Sequence, residues 1–189
     1  MSEEPSLLDK AQEIDRSAFD TVAGWSSPLL DKIMPALSIA ATYSRLWMGV
    51  AALFAVLGGT KGRKTAVEGM VAIGITSFLA NVVLKGLTDR PRPTDPVPEA
   101  RELKKPDSTS FPSGHTASAA AFSGVVDRAY PKLWLPINTL AGAVGFSRVY
   151  TGVHYPGDVV GGWILGKAVA FGVDQVARRL GFVDSSSVS

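Results

Sequence analysis

Apolar positions recur at two different rhythms along the chain. Near the N-terminus Leu7, Leu8, Ala11, Ile14, Ala18, Phe19 and Val22 return at helical spacing, with Glu3, Glu4, Asp9, Glu13, Asp15 and Asp20 on the other faces. This pattern predicts an amphipathic helix over residues 1–24. It serves a helix lying along a membrane interface or against a bundle, and equally a surface helix packed on a soluble core. Interfacial helices favour Lys and Arg on the polar face, and this one is acidic. Further on, the apolar residues close up into stretches near Pro28–Tyr43, Leu46–Gly58, Thr65–Leu84, Thr116–Val126, Leu133–Phe146 and Val159–Val173.

A membrane-spanning helix needs roughly 20 apolar residues. Only Thr65–Leu84 reaches that length, interrupted by Glu68 and Asn81. Any one stretch alone reads as a buried helix of a soluble protein. Six in succession, dense in Gly and Ala and poor in charge, point to an all-α fold: a compact bundle of about six transmembrane helices, small residues letting the helices approach closely. The expected organisation is the N-terminal helix (1–24), a membrane-embedded domain (25–176) and a C-terminal tail (177–189) ending in a disordered 184–189.

With six crossings and an internal N-terminus, loops carrying Lys61, Arg63 and Lys64, then Arg128 and Lys132, then Arg178 and Arg179, fall on one side. The positive-inside rule makes that side cytoplasmic. Arg90, Arg101, Lys104 and Lys105 lie on the opposite side, offset by Asp89, Asp95, Glu99, Glu102 and Asp107. The segment Asp89–Phe111 holds Pro91, Pro93, Pro96, Pro98 and Pro106, which forbid a continuous helix. It reads as a loop over whatever site lies on that side, acting as a lid, a headgroup sensor or a plain connector.

Composition narrows the classes. The 189 residues are 46% hydrophobic and 19% charged, with a net charge of +2. The scattered basic residues make no stripe for a nucleic-acid backbone. The chain has no cysteine, which excludes disulfides and thiolate metal sites. Its N-terminus lacks the basic and apolar regions of a cleaved signal peptide.

Candidate chemistry gathers around the only two histidines. His115 ends Pro112-Ser113-Gly114-His115. His154 follows Ser147-Arg148 after five residues, and Asp158 follows after three more. Upstream, six residues separate Lys85 from Arg92-Pro93. A phosphate monoester gathers negative charge on its equatorial oxygens during transfer, so a metal-free site must supply fixed cations and amide donors. Lys85, Arg92 and Arg148 are of the right type, Arg for bidentate contact and Lys as a point charge. Ser113 and Gly114 sit at a predicted helix start, where backbone N–H groups are ready anion ligands. A carboxylate four residues from an imidazole can fix its tautomer and free the other nitrogen to attack phosphorus. Each piece has a bland alternative: Lys85 as an interfacial lysine, Ser113 as a helix cap, Asp158 as a cap beside a solvated histidine.

Together the three segments resemble the motifs of the type 2 phosphatidic acid phosphatase superfamily, which includes lipid phosphate phosphatases, bacterial class A acid phosphatases and vanadium haloperoxidases. The match runs from Lys85 to Asp158, in order and with the family's internal spacings. The resemblance implies that His154 is a nucleophile forming a phosphohistidine, that Asp158 orients it, and that His115 protonates the leaving oxygen and then activates water. It implies a phosphate cradle of Lys85, Arg92, Ser113, Gly114 and Arg148, with neither metal nor cofactor. The expected activity is hydrolysis of a lipid phosphomonoester or diphosphate, such as an isoprenoid phosphate or phosphatidylglycerol phosphate, in a bacterial cell membrane with the site on the extracytoplasmic face. A decaprenylphosphoryl-5-phosphoribose phosphatase of actinobacterial wall synthesis is the alternative substrate reading. Soluble acid phosphatase, vanadate-dependent haloperoxidase and a non-enzymatic membrane scaffold are the alternatives of other classes. Membrane lipids are the expected surroundings, nucleic acid is not an expected partner, and the oligomeric state stays open.

Overall fold

The computed structural model describes residues 6–25 and 27–182. Among them every regular element is helical. The C-terminal 184–189 tail lies outside the described residues.

The first helix, α1 (Leu7–Ala23), starts at a capping box in which Ser6 Oγ accepts from Asp9 N and Asp9 Oδ2 accepts from Ser6 N. Its second half packs on the bundle through Phe19, Val22 and Ala23, which meet Val97, Val149, Tyr155 and Val159. Next, α2 (Pro28–Ala40) begins at the Ser27 cap with proline in the first turn, where its missing N–H costs nothing. The chain then breaks at Thr42–Ser44, where Tyr43 and Ser44 hold φ of 53° and 58°. α3 (Arg45–Leu57) leaves that break bent by 65° from α2.

After Gly59, whose φ is +58°, α4 (Gly59–Phe78) runs the length of the bundle. It continues through a π-helical stretch, Leu79–Leu84, into a short 3₁₀ turn at Lys85–Leu87. Lys61, Arg63 and Lys64 are therefore in the first two turns of α4, not in a loop. The helix starts earlier than apolar periodicity predicts because a polar first turn is compatible with a helix whose end meets water. α5 (Gly114–Ala129), α6 (Trp134–Tyr150) and α7 (Pro156–Arg179) complete the structure. All six apolar stretches of the sequence are helices, and α7 runs past residue 176.

α5 is the centre, buried continuously from Thr116 to Val126 and packed against α4, α6 and α7. Its Ala117, Ala119, Ala120 and Ala121 are fully covered, the small side chains that close helix packing requires. Trp47 and Phe122 fill the wider gap toward α3, ring centroids 5.5 Å apart. Outward, α3, α4 and α7 present Leu53, Val56, Val71, Ile75, Phe78, Ile164 and Phe171 to the surroundings, an apolar belt too extensive for a water-facing surface.

Two helices, Gly59–Leu87 and Pro156–Arg179, are each long and apolar enough to cross a membrane; α2 and α3 qualify together as one bent span. α2 lies across one end of the bundle: Asp31 meets Tyr150 near the end of α6, Ser38 meets Arg148, and Thr42 meets His115 at the start of α5. α1 is at the same end, where Asp15 reaches the start of α7. The internal N-terminus of the six-crossing topology does not fit this placement, because α1 stands at the end that carries all three motifs.

Candidate active site

Six of the eight expected site residues, Lys85, Arg92, Gly114, His115, Arg148 and His154, line one cavity of about 590 Å³ at that end of the bundle. Ala41–Ser44, Ser77, Asn81, Pro106, Ser108 and Ser118 complete its wall.

His154 reaches the cavity through a reversal of the chain. Gly152 takes φ +71°, the left-handed region where glycine is unstrained. Val153 N and His154 N both donate to Arg148 O, each at 3.1 Å. His154 is 2% exposed. Its Nδ1 lies 3.2 Å from Asp158 Oδ2, and a carboxylate is purely an acceptor, so Nδ1 carries the proton and Nε2 the lone pair. Arg92 Nη1 donates to that Nε2 at 3.2 Å. Burial pushes the imidazole down to about 4, the Asp158 hydrogen bond opposing; His154 is therefore neutral near pH 7.

Asp158, fully buried in the first turn of α7, also accepts from Tyr155 N at 2.9 Å, from Ser110 Oγ, and from Arg90 Nη1 at 2.9 Å on its other oxygen. It faces His154 from behind and does not line the cavity. Ser113 is also behind the wall. Its hydroxyl is the α5 cap, accepting from Thr116 N at 3.5 Å and Thr116 Oγ1 at 3.0 Å, while Ser113 N donates to Asp158 O at 2.9 Å. Gly114 lies at the wall beside the Asn81 amide; a Cβ there would come within 2.9 Å of Asn81 Oδ1. His115 Nε2 lies 3.4 Å from Thr42 Oγ1.

None of the three cavity cations has a carboxylate within ion-pair distance among the described residues. Lys85 Nζ donates to Asn81 Oδ1 at 2.9 Å and reaches Ser108 Oγ at 3.5 Å. Arg148, 5% exposed, donates to Ser38 Oγ, and its buried Nε has no partner. Arg92 spends its donors on carbonyls: Pro106 O at 3.1 Å, Ser108 O at 2.9 Å, Thr109 O at 3.1 Å and Val153 O at 3.0 Å. It thereby fastens the proline-rich segment to the turn before His154. Lys105 to Pro93 O, Thr109 to Lys85 O and Ser110 N to Arg90 O add further stitches. Three cations held by neutral groups around a neutral imidazole with an available nitrogen lone pair make a site suited to an anion.

Sequence reading missed Asn81, Ser108, Ser110, Thr42 and Ser38 around these residues, and the roles of Arg90 and Asp15. Arg90 stands two residues before Arg92 and resembles another loop cation. Ser110 and Asp15 reach Asp158 and Arg90 across 48 and 75 positions, and no local spacing reveals such contacts.

Residues 66–181 match the family profile described as the PAP2 superfamily. The chain is 37% identical over 127 residues to the decaprenylphosphoryl-5-phosphoribose phosphatase of Mycobacterium tuberculosis, covering 66% of this chain and 70% of that protein. It is 33% identical over 128 residues to the undecaprenyl-diphosphatase of Sulfolobus acidocaldarius, covering 67% and 61%. The structure resembles that of the transmembrane PAP2 type phosphatidylglycerolphosphate phosphatase from Bacillus subtilis, with TM-score 0.72 and 26% identity over 91% of this chain and 88% of that one.

Proposed function

Because the chain belongs to the PAP2 superfamily, we propose that it is an integral membrane phosphatase hydrolysing a lipid phosphomonoester or diphosphate through a phosphohistidine. The observation that carries this reading is the convergence of Lys85, Arg92 and Arg148, without carboxylate partners, on the cavity that His154 enters. The three cations bind the phosphoryl oxygens, with the amides at the start of α5 as additional donors. His154 Nε2 attacks phosphorus as the bond to the leaving oxygen breaks, and His115 gives that oxygen its proton. Asp158 stabilises the positive charge that develops on the imidazole. In the second step water attacks the phosphohistidine, His115 takes its proton, and inorganic phosphate leaves. Ser113 contributes by setting the start of α5, its hydroxyl being engaged as the cap.

In this reading α3 to α7 cross the bilayer, while α1 and α2 stay at the catalytic end, with α1 against the bundle. The opposite end carries Lys61, Lys64, Arg128, Lys132, Arg178 and Arg179 and faces the cytoplasm by the positive-inside rule. Catalysis then takes place at the outer surface. A cysteine replacing exposed Thr94 reacts with an impermeant thiol reagent outside intact cells and one replacing Thr60 does not; the reverse pattern overturns the orientation and leaves the chemistry standing.

A second substrate reading is a polyprenyl-phosphosugar phosphate, favoured by the 37% identity to the mycobacterial enzyme. Phosphate release by the detergent-purified protein from a panel of isoprenoid phosphates and diphosphates, phosphatidylglycerol phosphate and a polyprenyl-phosphoryl phosphopentose separates the two. Release from none of them, or strict dependence on added magnesium, defeats the proposal. EDTA should leave turnover unchanged, and vanadate should inhibit by filling the phosphoryl site.

A further inference from the structure

The carboxylate behind His154 does not stand alone. Arg90 donates from Nη1 to Asp158 Oδ1 at 2.9 Å and from Nη2 to Asp15 Oδ2, so one guanidinium is shared between two acids. Asp15 belongs to α1, and its other oxygen accepts Gly157 N in the first turn of α7 at 2.6 Å. The Arg90 plane is held over the Tyr155 ring, 4.7 Å to the centroid. Asp15 and Arg90 are largely covered, with side chains 12% and 25% exposed, and Asp158 is completely buried. The result is a continuous chain: Asp15, Arg90, Asp158, His154.

Consider what sharing does. An arginine paired with Asp158 alone would draw the carboxylate's charge away from the imidazole and weaken its support for positive charge on His154. A second carboxylate on the same guanidinium competes for that pull and leaves Asp158 the stronger acceptor toward Nδ1. The Gly157 contact also fixes the first turn of α7, on which Asp158 sits. Asp15 thus acts on both the charge and the position of the group behind the nucleophile, from a helix outside residues 66–181 that match the family.

We propose that Asp15 is a positioning residue for catalysis, acting through Arg90 on Asp158, and that α1 is thereby part of the active site. This rests on the phosphohistidine reading above. The deciding experiment measures kcat and KM for a lipid phosphate in wild type, Asp15→Asn, Asp158→Asn and the double variant, with His154→Ala alongside. Asp15→Asn can keep a hydrogen bond to Gly157 but loses the charge. It should lower kcat about tenfold with KM within about twofold, and its effect should largely vanish in the Asp158→Asn background, as coupled positions do. Asp15→Glu, which keeps the charge, should recover most of kcat; it also serves should Asp15→Asn fail to fold, vanadate binding reporting an intact site. Wild-type kcat in folded Asp15→Asn, effects that multiply independently of Asp158, a change confined to KM, or a folded Asp15→Glu as slow as Asp158→Asn would each overturn the inference. Turnover by a folded His154→Ala would instead bring down the reading on which it rests.

Discussion

The cations that line the cavity and those at the other end of the bundle are the same kinds of side chain in opposite arrangements. At the basic end Lys167 Nζ lies 2.7 Å from Asp127, Arg128 Nε 3.3 Å from Asp174, and Arg178 Nε 3.0 Å from the other oxygen of Asp174. Asn138 and Ser123 complete the Lys167 shell at 2.8 and 3.0 Å. At the cavity end Lys85, Arg92 and Arg148 are held by an amide, hydroxyls, backbone carbonyls and an imidazole. A cation matched by a fixed carboxylate has its counter-charge built in, and its work is to join helices. One held by neutral groups retains much of its attraction for an anion arriving from outside. Residue type therefore does not separate the three cavity cations from Lys167, Arg128 and Arg178, nor from Arg90 with its two carboxylates at the cavity's own end; the partners do.

The sharpest break of this contrast is His154→Ala. It should lower turnover by roughly 10⁴-fold or more while leaving the three cations able to bind vanadate, measured by steady-state phosphate release beside vanadate titration. Asp158→Asn should cost less, about 10³-fold, because it perturbs the imidazole without removing the bond-forming atom. Arg148→Ala, removing one charged donor to the transition state, should cost about 10²-fold or more in kcat with little loss of thermal stability. Lys167→Met at the other end should do the reverse. Leaving the half-buried Asp127 without its cation, with Asn138 still donating to it, should destabilise the fold by about 1 kcal/mol, read by thermal melting in detergent, with kcat of the folded fraction unchanged. Equal effects of Arg148→Ala and Lys167→Met on activity would erase the distinction.

The smallest expected effect is on pH. Because the folded pKa of His154 is depressed to about 4, its neutral nucleophilic form persists as pH falls through the ordinary histidine value near 6.5. The limb of kcat/KM due to this group should lie near pH 4. Between these values the unfolded state binds more protons than the native state, so the His154 contribution to stability is complete above pH 6.5 and falls as pH drops toward 4. An acid limb from His154 near pH 6.5 would mean that the imidazole is not buried as described.

The meeting of Lys85, Arg92, Gly114, His115, Arg148 and His154 in one cavity was legible because these residues come in short motifs at helix starts and turns, where spacing and chemistry coincide. The helical character of the apolar stretches was legible too, since apolar density survives any uncertainty in their ends, although only Gly59–Leu87 and Pro156–Arg179 are each long and apolar enough to cross a membrane among the described residues. Other features were not. Pro28–Tyr43 has the composition of a span, yet only the break at Tyr43 and Ser44 sends α2 across the bundle end, and neither residue type announces a positive φ. Ser113 fits both an anion ligand and a cap, and the hydroxyl cannot be judged until Thr116 is seen to hold it. The proline-rich segment read equally as lid and connector, because the hydrogen bonds from Arg92 that tie it down are made to carbonyls, which every residue has.

The π-helical stretch Leu79–Leu84 works as a spacer. A π turn takes up about one residue more than an α turn, so the stretch sets the angle at which the chain after it leaves the helix axis. Lys85 is the next residue, and it lines the cavity. What the stretch encodes is a count. Loss of a single residue, even an inert valine, can be taken up by a return to α geometry and leaves Lys85 on the same face, whereas a second loss, with no surplus left to absorb it, would turn Lys85 by about 100° around the axis and remove it from the cavity without touching a motif residue. In this part of the chain, length is as much a functional letter as the lysine itself.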